Sequence, residues 1–169
     1  MSMVMVKCVI MLNSYGLKWL WLALVVLVLD QVTKHWVVAD MALYESIQVL
    51  PFFNLTYVHN YGAAFSFLSD AGGWQRWFFA FIAAAVSGLL IFWLNKLKPG
   101  QWMLGASYAL ILGGALGNLY DRMVLGYVVD FLDVYWNTSH WPAFNIADSG
   151  ICIGAALIIW DSFANKSES

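Results

Sequence analysis

Four stretches of this chain, 19–38, 74–94, 102–120 and 144–163, are long and apolar enough to cross a membrane. At about 1.5 Å rise per residue each can span roughly 30 Å of hydrocarbon. Lipid offers the backbone no hydrogen-bonding partner, so segments of this kind are helices. Composition agrees: of 169 residues, 62% are hydrophobic and only 11% charged, against about 25% charged in ordinary soluble domains. The expected fold is an all-α integral membrane protein of four transmembrane helices, with a small β-rich platform and loop outside the membrane. Without internal repeats or low-complexity segments, residues 19–163 read as one membrane domain, flanked by 1–18 and 164–169.

Basic residues orient the bundle. Lys7 and Lys18 precede the first span, Lys96 and Lys98 lie between the second and third, and Lys166 follows the fourth. An even number of spans puts all of these on one side, which the positive-inside rule makes cytoplasmic, together with both termini. Lys34, Arg76 and Arg122 fall toward the outer face. Trp19, Trp21, Trp93, Trp102 and Trp160 mark inner helix ends, and Trp36, Trp74, Trp77 and Trp141 mark outer ends, as an interfacial aromatic belt does. A formal net charge of −2 without a basic run excludes nucleic acid as an expected partner. Cys8 and Cys152 are too few for a disulfide framework. The apolar stretch 1–14 shows no small-residue cleavage site and reads as an extension of a retained first anchor.

Two connections lie outside. In 40–73, the run Ile47-Gln-Val-Leu-Pro-Phe-Phe-Asn-Leu-Thr-Tyr-Val-His-Asn60 is β-branched and aromatic, which predicts a short strand pair or curved platform. Asn60-Tyr-Gly-Ala-Ala-Phe65 reads as a turn with freedom supplied by Gly62, followed by a short interfacial helix over 63–68. The second connection, 122–143, carries Asp130 and Asp133 and ends in Trp141-Pro142, a proline placed as for a helix start.

Carboxylates in such a chain are expensive and generally have a task. Asn118 and Asp121 are three apart and adjoin Arg122, and Asn145 and Asp148 repeat that spacing at the start of the fourth span. One Asp–Arg pair would be interhelical glue, and Asp148 alone would be a capping acid. Two Asn-x-x-Asp patterns plus Asp130, all near one membrane face, suit an aspartyl hydrolase instead. Neighbouring carboxylates share a proton, so one activates water while the other protonates the leaving group. A zinc protease lacks a His-Glu-x-x-His, and no Gly-x-Ser-x-Gly elbow is present. Asp30 and Lys34, four apart, read as a neutralised pair with Lys34 snorkelling to the interface. Gly113 and Gly117 predict close helix packing.

Asp30-Gln-Val-Thr-Lys34, Asn60-Tyr-Gly-Ala-Ala-Phe-Ser66, Gly113-Gly-Ala-Leu-Gly-Asn-Leu-Tyr-Asp-Arg122, Val128-Val-Asp-Phe131 and Phe144-Asn-Ile-Ala-Asp148 stand in the order of the motifs of bacterial lipoprotein signal peptidase, or signal peptidase II. The resemblance covers nearly all of the chain after residue 19. It implies an intramembrane aspartyl endopeptidase with Asp130 and Asp148 as the catalytic pair and no metal or cofactor. Asn60, Asn118, Arg122 and Asn145 would shape the pocket, while Asp30, Lys34, Gly62 and Asp121 would support it or contact substrate. Spacing alone does not choose Asp130 over Asp121.

The resemblance also implies the partners. They are diacylglyceryl-modified prolipoproteins cut just before the lipidated cysteine, membrane lipids, and cyclic peptide inhibitors such as globomycin, acting on a monomer in the bacterial inner membrane. A substrate-clamping role for 40–73 follows from its platform pattern together with the resemblance. A proton-linked transporter would spread its acids through the bilayer depth, and a scaffold would tolerate their loss.

Overall fold

The computed structural model describes residues 14–62 and 72–164. Lys7, Cys8, Lys166 and the helix expected over 63–68 lie outside the described residues, as does 1–13 of the N-terminal extension. A short helix α1 (Ser14–Leu17) leads into α2 (Leu20–Asp40). After the first connection come α3 (Trp74–Lys96) and α4 (Trp102–Val124), and α5 (Ile146–Ala164) closes the bundle. Each of the four long helices is apolar enough to cross a membrane. The expected multi-pass helical fold is what the chain adopts. The third span runs beyond the expected residue 120 to Val124, because Asp121 and Arg122 find partners inside the bundle and need not end the helix.

Helix α4 is the axis of the bundle and packs against α2, α3 and α5. Its small residues permit this. A Cβ on Gly113 would lie 2.6 Å from the Ala23 carbonyl oxygen, and one on Gly117 would lie 2.5 Å from Asp30 Oδ2. A Cβ on Gly114 would collide with the Ala147 carbonyl of α5, and one on Gly154 would lie 2.7 Å from the Ser107 carbonyl of α4. Close backbone approach of this kind drives helix association in lipid, where no hydrophobic force acts between helices. The expected Gly113/Gly117 packing is thus observed, and Gly114, Gly150 and Gly154 extend it to α5. The lipid-facing side chains, among them Trp21, Trp36, Trp77 and Trp160, are exposed.

At one end of the bundle, where α2 and α4 finish and α3 and α5 begin, sits a four-stranded antiparallel sheet whose strands lie side by side in chain order. The expected strand pair is β1 (Ser46–Leu50) and β2 (Phe53–Asn60). The second connection adds β3 (Val128–Trp136) and β4 (Ser139–His140), so Asp130 stands on a strand paired with β2 rather than in a loop. Register sets Asn60 against Val128 and Val58 against Asp130, with an irregularity between Leu55 and Val58 that spends one extra residue on β2. A one-residue slip inverts every side chain of a strand. This bulge therefore turns Asn60 to the same face as Asp130. Val37 of α2 and Met41 just past its end pack under the sheet against Tyr57, Val129 and Phe131.

Pro142 lies in the extended lead-in to α5 rather than opening it, since residues 141–144 run beside β3, with Trp141 N–H donating to Val134 O and Phe144 N–H to Leu132 O. Asn145 immediately precedes the helix.

Gly114→Ala should destabilise the purified protein in detergent by about 1–3 kcal/mol, the scale of overpacking a tight contact. Gly88→Ala, with open space around its Cβ, should be neutral or stabilising. Thermal unfolding midpoints of the two variants compare them directly.

Candidate active site

The polar interior is organised by Lys34. Its ammonium lies 2.8 Å from Asp30 Oδ2 and 2.9 Å from Asp121 Oδ2, and donates to Asn118 Oδ1 at 3.0 Å. All three protons have acceptors, and the side chain is 2% exposed. The expected snorkelling is therefore corrected: three oxygens within reach inside the bundle replace the interface as the solvent for this charge. The acids in turn tie elements together. Asp30 Oδ1 accepts the Ala147 N–H at the start of α5, at 2.9 Å, and Asp121 Oδ2 accepts the Val129 N–H of β3 at 3.2 Å.

Lysine is a donor only, so its contact with Asn118 Oδ1 fixes the orientation of that amide. Asn118 Nδ2 then points at Asp148 Oδ1, 2.8 Å away. Asn145 does the same for the start of α5. Its Oδ1 accepts the Asp148 N–H at 2.9 Å while its own N–H faces Asp148 Oδ2 at 3.3 Å, a reciprocal cap across Asn-x-x-Asp. Asp148 is thus a capping acid and also more than one. The Asn145 side-chain N–H group reaches Asp130 Oδ1 at 2.7 Å, with Val129 O and Asn118 Oδ1 farther off at 3.2 and 3.3 Å. Asn60 Nδ2 donates to Asp130 Oδ2 at 2.9 Å.

Arg122 closes the network. Nη1 donates to its own helix at Asn118 O (3.2 Å) and Nη2 to Gly62 O (2.9 Å), and the guanidinium lies over the Phe79 ring. The Gly62 N–H returns to Asn60 Oδ1 at 2.9 Å, so Gly62 contributes both of its backbone polar groups. Among the described residues no buried side-chain nitrogen or oxygen lacks a partner. The ten residues singled out from sequence therefore meet in one connected cluster at the sheet end of the bundle. Burial, and then the charge of Asp148, push the Asp130 carboxyl up to about 7, against the opposing hydrogen bond from Asn60.

A cavity of about 480 Å³ opens onto this cluster, with Asn60, Asn118, Arg122 and Asp148 on its polar wall. Val128 of β3, residues 141–144, and Ser149, Ile151 and Cys152 of α5 make the rest, which is mostly apolar. Asp148 is half-buried on the wall, while Asp130 is buried just behind it. Asp133 stands apart, held by Asn54, Thr56 and His140 on the sheet.

Two supporting residues escaped the sequence reading. Gln31 Nε2 donates to Asp121 Oδ1 at 2.9 Å, Asp30 Oδ2 at 3.2 Å and Gly117 O at 3.3 Å. Its place inside the Asp30–Lys34 motif was the available signal. Arg76 at the start of α3 donates from Nε to Arg122 O at 2.6 Å and from Nη2 to Met123 O at 2.9 Å, satisfying the last carbonyls of α4. Gly126, at φ +90°, leaves room for that guanidinium. A lone arginine opening an apolar helix was the hint.

A family model described as Signal peptidase (SPase) II matches residues 22–164. The chain belongs to the signal peptidase II family. Lipoprotein signal peptidase of Shewanella halifaxensis (strain HAW-EB4) is 64% identical over 153 residues, covering 90% of each chain. That of Shewanella pealeana (strain ATCC 700345 / ANG-SQ1) is 64% identical over 148 residues, 88% of this chain and 87% of its own. A bacterial membrane enzyme solved by the in meso method at 2.3 Å has a TM-score of 0.81 at 33% identity, covering 90% of this chain and 91% of its own. Membership of signal peptidase II makes this multi-pass protein a protease.

Lys34→Met would leave the Asp30 and Asp121 carboxylates buried without their cation, a loss of about 3–5 kcal/mol. The expected result is a collapse in the yield of folded, monodisperse protein, read by size-exclusion chromatography and thermal unfolding.

Proposed function

We propose that this protease removes signal peptides from diacylglyceryl-modified prolipoproteins, cutting the peptide bond before the lipidated cysteine with Asp130 and Asp148 as an acid–base pair. The observation that carries this reading is the pair of carboxylates bridged by Asn145, one on the wall of the cavity and one just behind it, in a signal peptidase II chain. The cavity lies at the boundary where a lipid-anchored substrate and water both have access. The charge asymmetry of the connections supports a periplasm-facing sheet end, cytoplasmic termini and an inner-membrane location.

On this reading Asp130, the more deeply buried acid with its carboxyl pushed up to about 7, holds the shared proton, and Asp148 serves as the base. Asp148 takes a proton from water, and the hydroxide oxygen bonds to the scissile carbonyl carbon. Asp130 gives its proton to the carbonyl oxygen, forming a neutral gem-diol. The amide nitrogen then takes the proton held by Asp148 while the C–N bond breaks. A diol hydroxyl proton returns to Asp130, leaving a carboxylic acid on the signal peptide and an amine on the cysteine. Asn118 and Asn145 steer the carboxylate oxygens, and Arg122 offsets the charge that the pair carries. The pair activates water directly, without a metal. A monomer suffices, since one chain supplies every named group. A cyclic peptide such as globomycin would fill the cavity against Asp148.

Asp130→Asn and Asp148→Asn should each abolish cleavage of a lipidated prolipoprotein in a gel-shift assay while leaving the protein folded. Cleavage by both folded variants would sink the pair. The pH profile carries a sign as well. The shared proton is present below about 7 and lost above it, so kcat/KM should fall as pH rises through that range. Asn60→Ala removes a hydrogen bond that favours the ionised Asp130, so the falling limb should move to higher pH.

A further inference from the structure

Among the described residues, Asp133 is the buried acid that the site does not use. It is buried, yet its carboxylate accepts from Asn54 (3.1 Å) and Thr56 (3.1 Å) on β2 and from His140 Nδ1 (2.9 and 3.0 Å) on β4. His140 in turn stacks on Tyr135, with ring centroids 5.0 Å apart at 17°. The Tyr135 hydroxyl accepts from Gln48 Nε2 at 2.7 Å, and the Tyr135 N–H donates to Phe52 O at 3.0 Å. One buried carboxylate and its partners thus stiffen a surface whose top is apolar and open: Phe52 and Trp141 are exposed, and Trp136 is 78% exposed. Between them runs a shallow groove of about 500 Å³. Trp141 lines both this groove and the cavity holding Asp148, so the two adjoin at that side chain.

The groove lies on the sheet, beyond the membrane-spanning helices. Building on the proposed function, both parts of the substrate that prefer lipid, the signal helix and the acyl chains, belong at the bundle end of the cavity. The polypeptide that follows the lipidated cysteine is the part that must leave the membrane. We infer that the groove formed by Phe52, Tyr135, Trp136, His140 and Trp141 is a binding site for the extended stretch of substrate just after that cysteine. Rigid exposed aromatics grip a peptide with little entropy to lose on their own side. The short edge strand β4 offers the neighbouring backbone alongside which an extended peptide could lie.

The test compares two lipidated substrates with the full-length protein in mixed detergent–lipid micelles. One ends shortly after the cysteine. The other continues far enough to cross the groove, about six residues at ~3.3 Å each. Wild type should cleave both, with a lower KM for the longer. Trp136→Ala and Phe52→Ala should raise KM for the longer substrate about three- to tenfold, the scale of one aromatic contact. Neither should change its kcat or alter the shorter substrate, so the preference for length disappears. Equal change for both substrates would mean that these rings seat the sheet on the membrane, which overturns the inference. So would an unchanged preference in both variants. Failure of wild type to cut even the short substrate would instead strike the proposed function itself.

Discussion

A buried ammonium with three oxygen partners is the contact on which the rest of this structure hangs. Removing Lys34 from water is tolerable only because Asp30, Asp121 and Asn118 replace its hydration, and those three groups sit on two helices that the contact then locks together. The acids extend the lock: Asp30 holds the first turn of α5, and Asp121 holds β3. Four elements are therefore registered against one charge. Gly117 is part of the same arrangement, because any side chain there would enter the space of the Asp30 carboxylate.

Registration at that level decides chemistry one layer out. An asparagine amide has no intrinsic preference for which end faces which neighbour, but an ammonium admits only the oxygen end. Asn118 must then present Nδ2 to Asp148, and the reciprocal cap between Asn145 and Asp148 leaves the Asn145 amide hydrogens for Asp130. The orientation of both carboxylates thus descends from a cation that touches neither of them within hydrogen-bond distance among the described contacts. Arg122 and Gly62 perform the equivalent service from the other side, by holding the turn that carries Asn60.

Much of this was legible in the sequence because lipid simplifies the code. Four apolar windows had to be helices, and the polar residues within them had to find partners; Asn60, Gly62 and Asp130 lie outside those windows and became candidates through the resemblance to lipoprotein signal peptidase. What stayed hidden is what periodicity does not carry. Val128–Trp136 follows a helix with no turn signature strong enough to mark a strand, and its pairing with β2 is a non-local choice made by register and by the bulge before Val58. Pro142 looked like a helix opener by local rule, but the backbone of 141–144 is claimed by β3. Lys34 was expected at the interface because local reasoning saw one partner, Asp30, four residues away. Asp121 and Asn118, 84 or more positions later, made burial the better solution.

The placement of the second acid on a strand rather than a helix has its own consequence. A helix in the bundle can approach α5 only at the 8–10 Å of ordinary helix packing, or closer where glycines allow. A strand crossing the ends of α4 and α5 delivers a side chain from above, into the mouth of the bundle, where Asn145 and Asn60 meet it from two directions. That geometry buries Asp130, whose carboxyl is pushed up to about 7, while Asp148 remains on the cavity wall. Two carboxylates of one kind are thereby given different surroundings, one on the cavity wall and one behind it. Inequality of this kind is what acid–base division of labour requires. The small sheet is therefore as much a part of the proposed chemistry as the helices that hold the chain in the membrane.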